Sequence, residues 1–236
     1  FDGNDQISYG TGGGVGASSA WSVFALARAT SGADGQLVCK RDSFGSGGNQ
    51  FCFGRAGASR VINISKDGTF HEFALAWPNS TWARGSVSCD GTSAIANMNG
   101  TEETQTANWS SGSGTGQAIG IGRLITEASE GWVGDIAEVA LWNVKLSAAH
   151  RAMLAVGCPP LMVAPESLVH YWRVTGVYTT EPDLVGGLSG TITGTTATSN
   201  PRMFLPARAQ GRRFTTAAGG GGVTTRRYSL SLTGVG

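Results

Sequence analysis

The 236-residue sequence is poor in charged residues and lacks long apolar runs. Charged side chains make up 14% of the chain and the net charge is +1, so we expect no nucleic-acid partner, for which a strongly basic domain would be typical. No apolar run approaches the roughly 20 residues that a membrane-spanning helix needs, so we expect no membrane insertion. The 37 glycines follow no three-residue period, which excludes a collagen-like chain.

Motifs of catalytic and metal sites are also missing. None of the four cysteines has the CxxC spacing of a zinc or redox site, and no Gly-x-Ser-x-Gly nucleophile motif occurs. The three histidines, His71, His150 and His170, lack metal-ligand spacing. We therefore predict no cofactor.

A glycosidase would need two carboxylates flanking the sugar bond, on one face of a strand. The nearest approach is Glu181-Pro182-Asp183, which lacks a third acid and contains a strand-breaking proline, and the pair Asp135 and Glu138 differs by three positions. On a regular strand they would face opposite sides, so the sequence predicts a non-enzymatic protein.

Short segments rich in Val, Ile, Phe, Trp and Thr alternate with Gly, Asn, Asp and Ser clusters, which is typical of an antiparallel sandwich or barrel. Asp67-Gly68, Asp90-Gly91 and Asn99-Gly100 are dipeptides of hairpin turns. The predicted strands are 21–27, 36–40, 50–54, 60–64, 72–77, 85–89, 93–98, 117–122, 134–143, 168–174 and 190–194.

One helix is predicted at 147–156. Ser147 can accept hydrogen bonds as its N-cap, and Gly157 with the two prolines that follow ends it.

Residues 131–150 resemble the closing signature of the laminin-G-like, concanavalin A-like jelly rolls: a glycine, a strand containing Ile136 and Glu138-Val139, the pair Trp142-Asn143, and Leu-Ser-Ala-Ala opening a helix. Residues 1–8 resemble the opening strand of that family, and residues 82–100 its central hairpin. The resemblance implies an all-β antiparallel sandwich. Ala137 stands where the family usually has Asp.

The stretches 168–172 and 183–192 resemble a part of the family that normally precedes the opening strand. Because strand ends meet in a closed sandwich, a C-terminal strand can occupy that place, so we expect residues 1–205 to form one sandwich that 161–205 completes. The alternative is a second, truncated repeat. With the arm described below, this arrangement resembles virion-associated proteins of bacteriophages.

Two groups of residues are candidates for ligand binding. Relatives often hold calcium through Asp, Asn and backbone oxygens, and Asp2, Asn4 and Asp5 form an oxygen-rich cluster; the alternative, which we favour, is a turn stabilised by its own side chains. Indole faces stack on sugar rings, and four tryptophans border turns, where they are exposed platforms or are partly buried under loops. These candidates for glycan binding are Trp77, Trp82, Trp109 and Trp132.

Cys39 and Cys52 flank a turn-rich stretch, and a symmetric hairpin would place them opposite each other. A disulfide and two buried free thiols are both consistent with this placement.

The basic residues are unevenly distributed. Six arginines and no acidic residue follow Asp183, so residues 184–236 carry +6 and residues 1–183 carry −5. Arginine suits fixed contacts across an interface. We predict that a C-terminal arm, residues 206–236, docks on neighbouring subunits; a solvated tail is the alternative. The candidate contact residues of the arm are Arg208, Arg212, Arg213, Arg226, Arg227 and Tyr228.

The sequence therefore favours a structural protein on a virion surface, a capsid decoration or tail protein that assembles, as a homo-oligomer or with other subunits, through its arm. The alternative is an extracellular module that binds cell-surface glycans. A glycoside hydrolase is a third hypothesis, which we do not favour.

Overall fold

The computed structural model describes residues 1–15, 20–30, 34–40, 51–57, 61–66, 69–107, 109, 117–123, 130–176, 179–198 and 201. Within these ranges the chain forms fourteen β-strands and one α-helix. In chain order they are β1 (Gln6–Ser8), β2 (Trp21–Ala29), β3 (Gly35–Lys40), β4 (Phe51–Ala56), β5 (Val61–Lys66), β6 (Thr69–Ala76), β7 (Trp82–Cys89), β8 (Ser93–Met98), β9 (Thr101–Thr106), β10 (Ile119–Ile121), β11 (Gly134–Trp142), α1 (Ala148–Ala155), β12 (Leu168–Trp172), β13 (Thr180–Pro182) and β14 (Ser189–Thr193).

The strands form two antiparallel sheets. One sheet has the order β13-β14-β1-β10-β3-β4-β5-β6, and the other has the order β12-β11-β2-β7-β8-β9. Five pairs of neighbours are distant in sequence, namely β14-β1, β1-β10, β10-β3, β11-β2 and β2-β7, as in a jelly roll. The predicted all-β sandwich with one short helix is confirmed.

The core between the sheets follows from the period of two in the strands. Along β2, Trp21, Val23 and Ala25 are fully buried in the apolar cluster shared by the two sheets. Phe24 and Leu26 point the other way and belong to a second buried cluster on the outer face of the six-stranded sheet. This sheet is therefore apolar on both faces, and its outer face needs a cover.

The helix and the segment after it provide part of that cover. Ser147 Oγ accepts a hydrogen bond from the backbone N–H of His150 at 3.2 Å, so the predicted N-cap is confirmed. Leu154 packs into the outer cluster, and the indole of Trp142 donates to the Val163 carbonyl at 2.7 Å. Two short 3-10 turns, Pro160–Met162 and Pro165–Ser167, then lead back to β12.

The strands after the helix lie in the same two sheets as those before it. β12 pairs with β11, and β14 pairs with β1 through Ile192 opposite Ile7. A second, truncated repeat is therefore not formed by these strands. β9 and β13 lie outside the predicted strands: β9 has the polar sequence TEETQT and is an edge strand, and Pro182 ends β13, also an edge strand.

A buried histidine joins three segments near the end of the sandwich. His170 is 4% exposed, and its Nδ1 lies 2.5 Å from Asp183 Oδ2. Its Nε2 accepts the backbone N–H of Gly14 at 2.7 Å, which requires the proton to lie on Nδ1. Burial raises the pKa of Asp183, but hydrogen bonds from His170 and from three backbone N–H groups outweigh that effect and lower it. The imidazole therefore binds β12, the turn after β13 and the N-terminal glycine-rich loop to one another.

Candidate functional site

Three of the four tryptophans considered as exposed platforms are buried. Trp77, Trp109 and Trp132 are each 0% exposed in the core between the sheets. Trp77 meets Trp132 edge-on, with 5.4 Å between ring centroids, and Trp109 stacks on Phe73 at 5.8 Å. Gly85 of β7 makes room for Trp77, since a Cβ there would overlap the indole. The structure corrects the exposed-platform prediction for these three residues: they border turns in the sequence, but their side chains point inward.

Trp82 is the candidate tryptophan that keeps an exposed part. It begins β7 on the outer face of the six-stranded sheet, where its ring packs against the edge of the outer apolar cluster. Arg28 lies directly opposite Trp82 in the β2–β7 register, with its guanidinium carbon 5.4 Å from the ring centroid. This distance is within the range of a cation–π contact.

β2 pairs with β11 along its other edge, and in that register Arg28 is opposite Asp135. Its Nε and Nη2 donate to Asp135 Oδ2 at 2.8 and 2.6 Å, and Thr198 Oγ1 donates to Asp135 Oδ1 at 3.0 Å. A guanidinium has five N–H donors, and no described residue accepts from the three others. Trp82, Arg28 and Asp135 thus form one row across three strands.

A β-bulge in β11 adds Glu138 to this face. Ile136 is paired with Ala27 and Glu138 with Leu26, so Ala137 is the extra residue. Asp135 and Glu138 therefore face the same side, which corrects the prediction that they would face opposite sides. That prediction assumed a regular strand, and a single extra residue reverses the alternation beyond it.

Glu138 is 5% exposed, and its Oε2 has no hydrogen-bond partner. Burial raises the pKa of Glu138 to about 7, although the hydroxyl of Tyr171, which donates to its carboxylate, and the charge of Arg173 both act in the opposite direction. The same burial, with the charge of Glu138, raises the pKa of Tyr171 well above its ordinary value. Arg173 is exposed, and no described residue accepts a hydrogen bond from it.

We call Arg28, Trp82, Asp135, Glu138 and Arg173 the Trp82 face. It combines an aromatic ring, guanidinium N–H groups for which no described residue is an acceptor, and carboxylates, on or directly after four adjacent strands. Both oxygens of Asp135 accept hydrogen bonds from the protein, and Oε2 of Glu138 is buried. This arrangement suits the binding of a polyhydroxylated ligand better than its hydrolysis.

The sequence singled out neither Arg28 nor Arg173 for this face. No local motif marks them, and the position of Arg28 two residues after Leu26 becomes informative only when the strand pairing is known.

The proposed calcium cluster forms a hydrogen-bonded turn. Asp5 Oδ2 accepts the backbone N–H of Asp2 at 2.9 Å, and Asp2 Oδ1 accepts that of Asn4 at 2.8 Å. These bonds match the turn alternative. Among the residues that the structure describes, no group of three or more His, Cys, Asp or Glu side chains could hold a metal ion.

Cys39 and Cys52 form a disulfide between β3 and β4, where they are opposite each other in the register. They lie outside the main core in a small buried cluster of their own. Of the two alternatives from the sequence, the structure has the disulfide. Cys89 and Cys158 are buried free thiols.

The predicted arm, residues 206–236, lies outside the described residues, and with it the candidate contacts Arg208, Arg212, Arg213, Arg226, Arg227 and Tyr228. In the described ranges, no helix is both long and apolar enough to cross a bilayer.

No protein-family model matches the sequence, and no curated protein matches it. Among solved structures, a candidate carbohydrate-binding protein from Bacteroides ovatus aligns with a TM-score of 0.60 at 16% identity over 83% of this chain. The chain spans 58% of the length of that protein. At this identity the alignment shows a shared fold.

Two other solved structures align less closely. The CBM40 domain of the Ruminococcus gnavus IT-sialidase has a TM-score of 0.49 at 14% identity, over 64% of this chain and 94% of that one. A heptameric pentraxin from Limulus polyphemus has a TM-score of 0.47 at 14% identity, over 66% and 83% of the two chains.

Proposed function

We propose that this protein is a non-enzymatic carbohydrate-binding module and that its Trp82 face binds the glycan. The observation that carries the proposal is the row of Trp82, Arg28 and Asp135 across three adjacent strands, with Trp82 partly exposed and three guanidinium N–H donors for which no described residue is an acceptor. Sugars present apolar C–H surfaces beside hydroxyl groups that donate and accept hydrogen bonds. An aromatic ring next to fixed donors complements that pattern.

The position of Arg28 defines how a sugar would approach. Its guanidinium covers part of the Trp82 ring, so a sugar would contact the exposed part of the indole and the free N–H groups of Arg28 together. Asp135 holds the guanidinium in place through two hydrogen bonds, which reduces the entropy lost on binding. The fold shared with a candidate carbohydrate-binding protein supports this function.

The proposal is tested on an array of neutral and acidic glycans with the purified wild type and the variants Trp82→Ala and Arg28→Ala. We expect saturable binding by the wild type and a loss of about tenfold or more in each variant, the size typical of a truncated aromatic or arginine anchor. Lys145→Ala is the matched control because it removes an ion pair of the same 2.6 Å length, to Asp90, elsewhere on the surface. Absence of saturable binding, or equal losses in the control, contradicts the proposal.

The uneven charge supports a second role, assembly on a larger particle such as a phage virion. A segment of 53 residues with +6 and no acidic residue is suited to an acidic surface on another subunit, and residues 1–183 carry −5. We propose that the arm makes this contact, which would place the module on a virion or another extracellular surface.

Deletion of residues 206–236 tests this role. Light scattering measures the size of the wild type and of the deletion variant, each alone and mixed with the isolated particle. We expect the deletion variant to be a monomer that does not bind the particle. A variant with Arg208, Arg212, Arg213, Arg226 and Arg227 changed to Gln separates charge from chain length. Unchanged assembly of the deletion variant contradicts the role of the arm.

A further inference from the structure

We propose that the Trp82 face prefers a carboxylate-bearing sugar, such as a uronic acid, to a neutral one, and that Glu138 takes up a proton as the acidic sugar binds. This inference depends on the proposed function of the same face. It rests on how the charges are paired across the six-stranded sheet.

The charges nearest to Trp82 neutralise each other. Arg28 donates two hydrogen bonds to Asp135, at 2.8 and 2.6 Å, so this pair contributes donors but little net charge. Arg84 lies in the neighbouring row, near Gly157 just beyond the end of α1, where it is half-buried and its Nε is buried without a hydrogen-bond partner. Arg28 is therefore paired with a carboxylate, and Arg84 is less exposed to a ligand than Arg173 is.

Arg173 is different because it is exposed and, among the residues that the structure describes, the carboxyl group on which it acts is that of Glu138. The two residues are brought together by the register of β11 with β12, in which Val139 is opposite Trp172. Arg173 acts on Glu138 electrostatically, yet no described residue accepts a hydrogen bond from its guanidinium. When Glu138 is ionised, the two charges cancel. When Glu138 is protonated, an exposed cation remains that can bind the carboxylate of a ligand with charge-assisted hydrogen bonds.

The surroundings of Glu138 make protonation accessible. Its carboxyl group is buried, Oε2 has no partner, and Tyr171 donates to the group from β12. A buried carboxylate with an unsatisfied oxygen is unfavourable when charged, so a second anion nearby shifts the group to its neutral form. Because Oε2 is buried, Glu138 acts from beneath the surface as a positioning and charge-setting residue and does not touch the ligand. The charged and titratable groups around it are Tyr171, Arg173, Asp135, Arg28, Arg84 and, in the segment that packs on this face, Cys158.

The distance between the two cationic positions sets the size of the ligand. Arg173 and Arg28 are two strands and about two residues apart, which corresponds to about 12 Å between their Cα atoms. One sugar ring cannot contact both, so we expect an oligosaccharide with one ring at Trp82 and Arg28 and an acidic ring at Arg173.

The test measures affinity by isothermal calorimetry at pH 6, 7 and 8.5 for acidic oligosaccharides built from uronic acids and for the same oligosaccharides with their carboxyl groups reduced. At pH 6 the wild type should bind the acidic oligosaccharide more tightly than the oligosaccharide whose carboxyl groups are reduced. If the bound anion raises the pKa of Glu138 by about one pH unit, the affinity falls about five- to tenfold between pH 6 and 8.5. Titrations in two buffers with different ionisation enthalpies should show proton uptake.

Two variants separate this inference from the proposed function. Glu138→Gln should bind the acidic sugar with little dependence on pH, and Arg173→Ala, an exposed change that leaves the fold intact, should lose the preference for it. Glu102→Gln is the control, since Glu102 is paired with Arg151 elsewhere on the sheet. Equal binding of acidic and reduced sugars, or the same pH profile in wild type and Glu138→Gln, overturns the inference while the glycan-binding function stands. No binding of either sugar by any form overturns both.

Discussion

Asp135 and Glu138, three residues apart in β11, lie on the same face of the six-stranded sheet because Ala137 is an extra residue in the strand. The two carboxyl groups have different environments. Asp135 accepts hydrogen bonds from Arg28 and Thr198, whereas Glu138 is buried with an unsatisfied oxygen. One ion-paired carboxylate thus holds the guanidinium beside Trp82, and one buried carboxyl group sets the charge of the neighbouring surface.

The raised pKa of Glu138 should appear in the stability of the protein. Because its pKa is about 7 in the folded state and lower in the unfolded state, the folded state binds more protons between these values. The free energy of unfolding should therefore fall as the pH rises from about 4.5 to 7, by at most about 3 kcal/mol, and then remain level. Urea unfolding of the wild type and Glu138→Gln at pH 5 and 8.5 measures this.

The Glu138→Gln variant should lose most of this decline and be more stable than the wild type at pH 8.5. The pH dependence of stability should have the opposite sign for Glu102. Because the hydrogen bond from Arg151 lowers the pKa of Glu102, the contribution of this residue to stability is present above its ordinary pKa and is lost as the pH falls. Glu102→Gln should remove that contribution. An identical pH dependence of stability in wild type and Glu138→Gln would contradict the assignment.

The histidine of β12 should be a major determinant of stability. His170→Phe removes the donor to Asp183 Oδ2 and the acceptor for the Gly14 N–H, so it leaves a buried carboxylate oxygen and a backbone N–H without these partners. We expect a loss of about 2–4 kcal/mol in urea unfolding and faster hydrogen exchange at the Gly14 amide. The control is His150→Phe, at a half-buried position in the first turn of α1 where only the backbone N–H takes part in the Ser147 cap, which should change stability by under about 0.5 kcal/mol. Unchanged hydrogen exchange at the Gly14 amide in His170→Phe would contradict the hydrogen bond between Gly14 and His170.

The burial of Trp77 can be tested through its neighbour. A Cβ at Gly85 would overlap the indole, so Gly85→Ala should destabilise the protein by about 1–3 kcal/mol through overpacking. At Gly12, the nearest atom to a new Cβ is a Leu188 methyl group at 3.6 Å, an ordinary contact, so Gly12→Ala should be nearly neutral. A neutral Gly85→Ala would indicate that Trp77 is not packed against β7.

The disulfide should stabilise the protein by an amount that depends on the number of residues in the loop that it closes. Cys39 and Cys52 are 13 residues apart, and a loop of this length corresponds to about 3 kcal/mol in the chain-entropy account. The double variant Cys39→Ser/Cys52→Ser should lose about that amount in urea unfolding without reductant, and peptide mapping under non-reducing conditions should yield the linked pair. Equal stability with and without reductant, together with two free thiols at these positions, contradicts this result.

Much of the fold is predictable from local patterns. The alternation of β2, the turn dipeptides Asp90-Gly91 and Asn99-Gly100, and the cap at Ser147 each specify a local structure, and all of them occur. β9 could not be predicted in this way because it is a polar edge strand whose hydrogen bonds, and not its side chains, define it.

The site was less predictable, since it depends on pairing between distant segments. Trp77 and Trp82 both border turns, yet one is buried and the other partly exposed, because they lie on opposite faces of the six-stranded sheet. Glu138 reaches the outer face through a bulge that no residue of the local sequence marks. Position relative to turns is therefore a poor guide to exposure in a sheet that is covered on both faces.

The indole N–H resonances of the seven tryptophans offer the most direct test of glycan binding at the Trp82 face. The Trp82 resonance is assigned by its loss in Trp82→Phe, and the protein is then titrated with an oligosaccharide selected on the array. The account predicts a saturable shift of the Trp82 resonance, with those of the core residues Trp21 and Trp109 unchanged. Saturable binding that leaves the Trp82 resonance unmoved, or shifts those of the buried tryptophans instead, would contradict it.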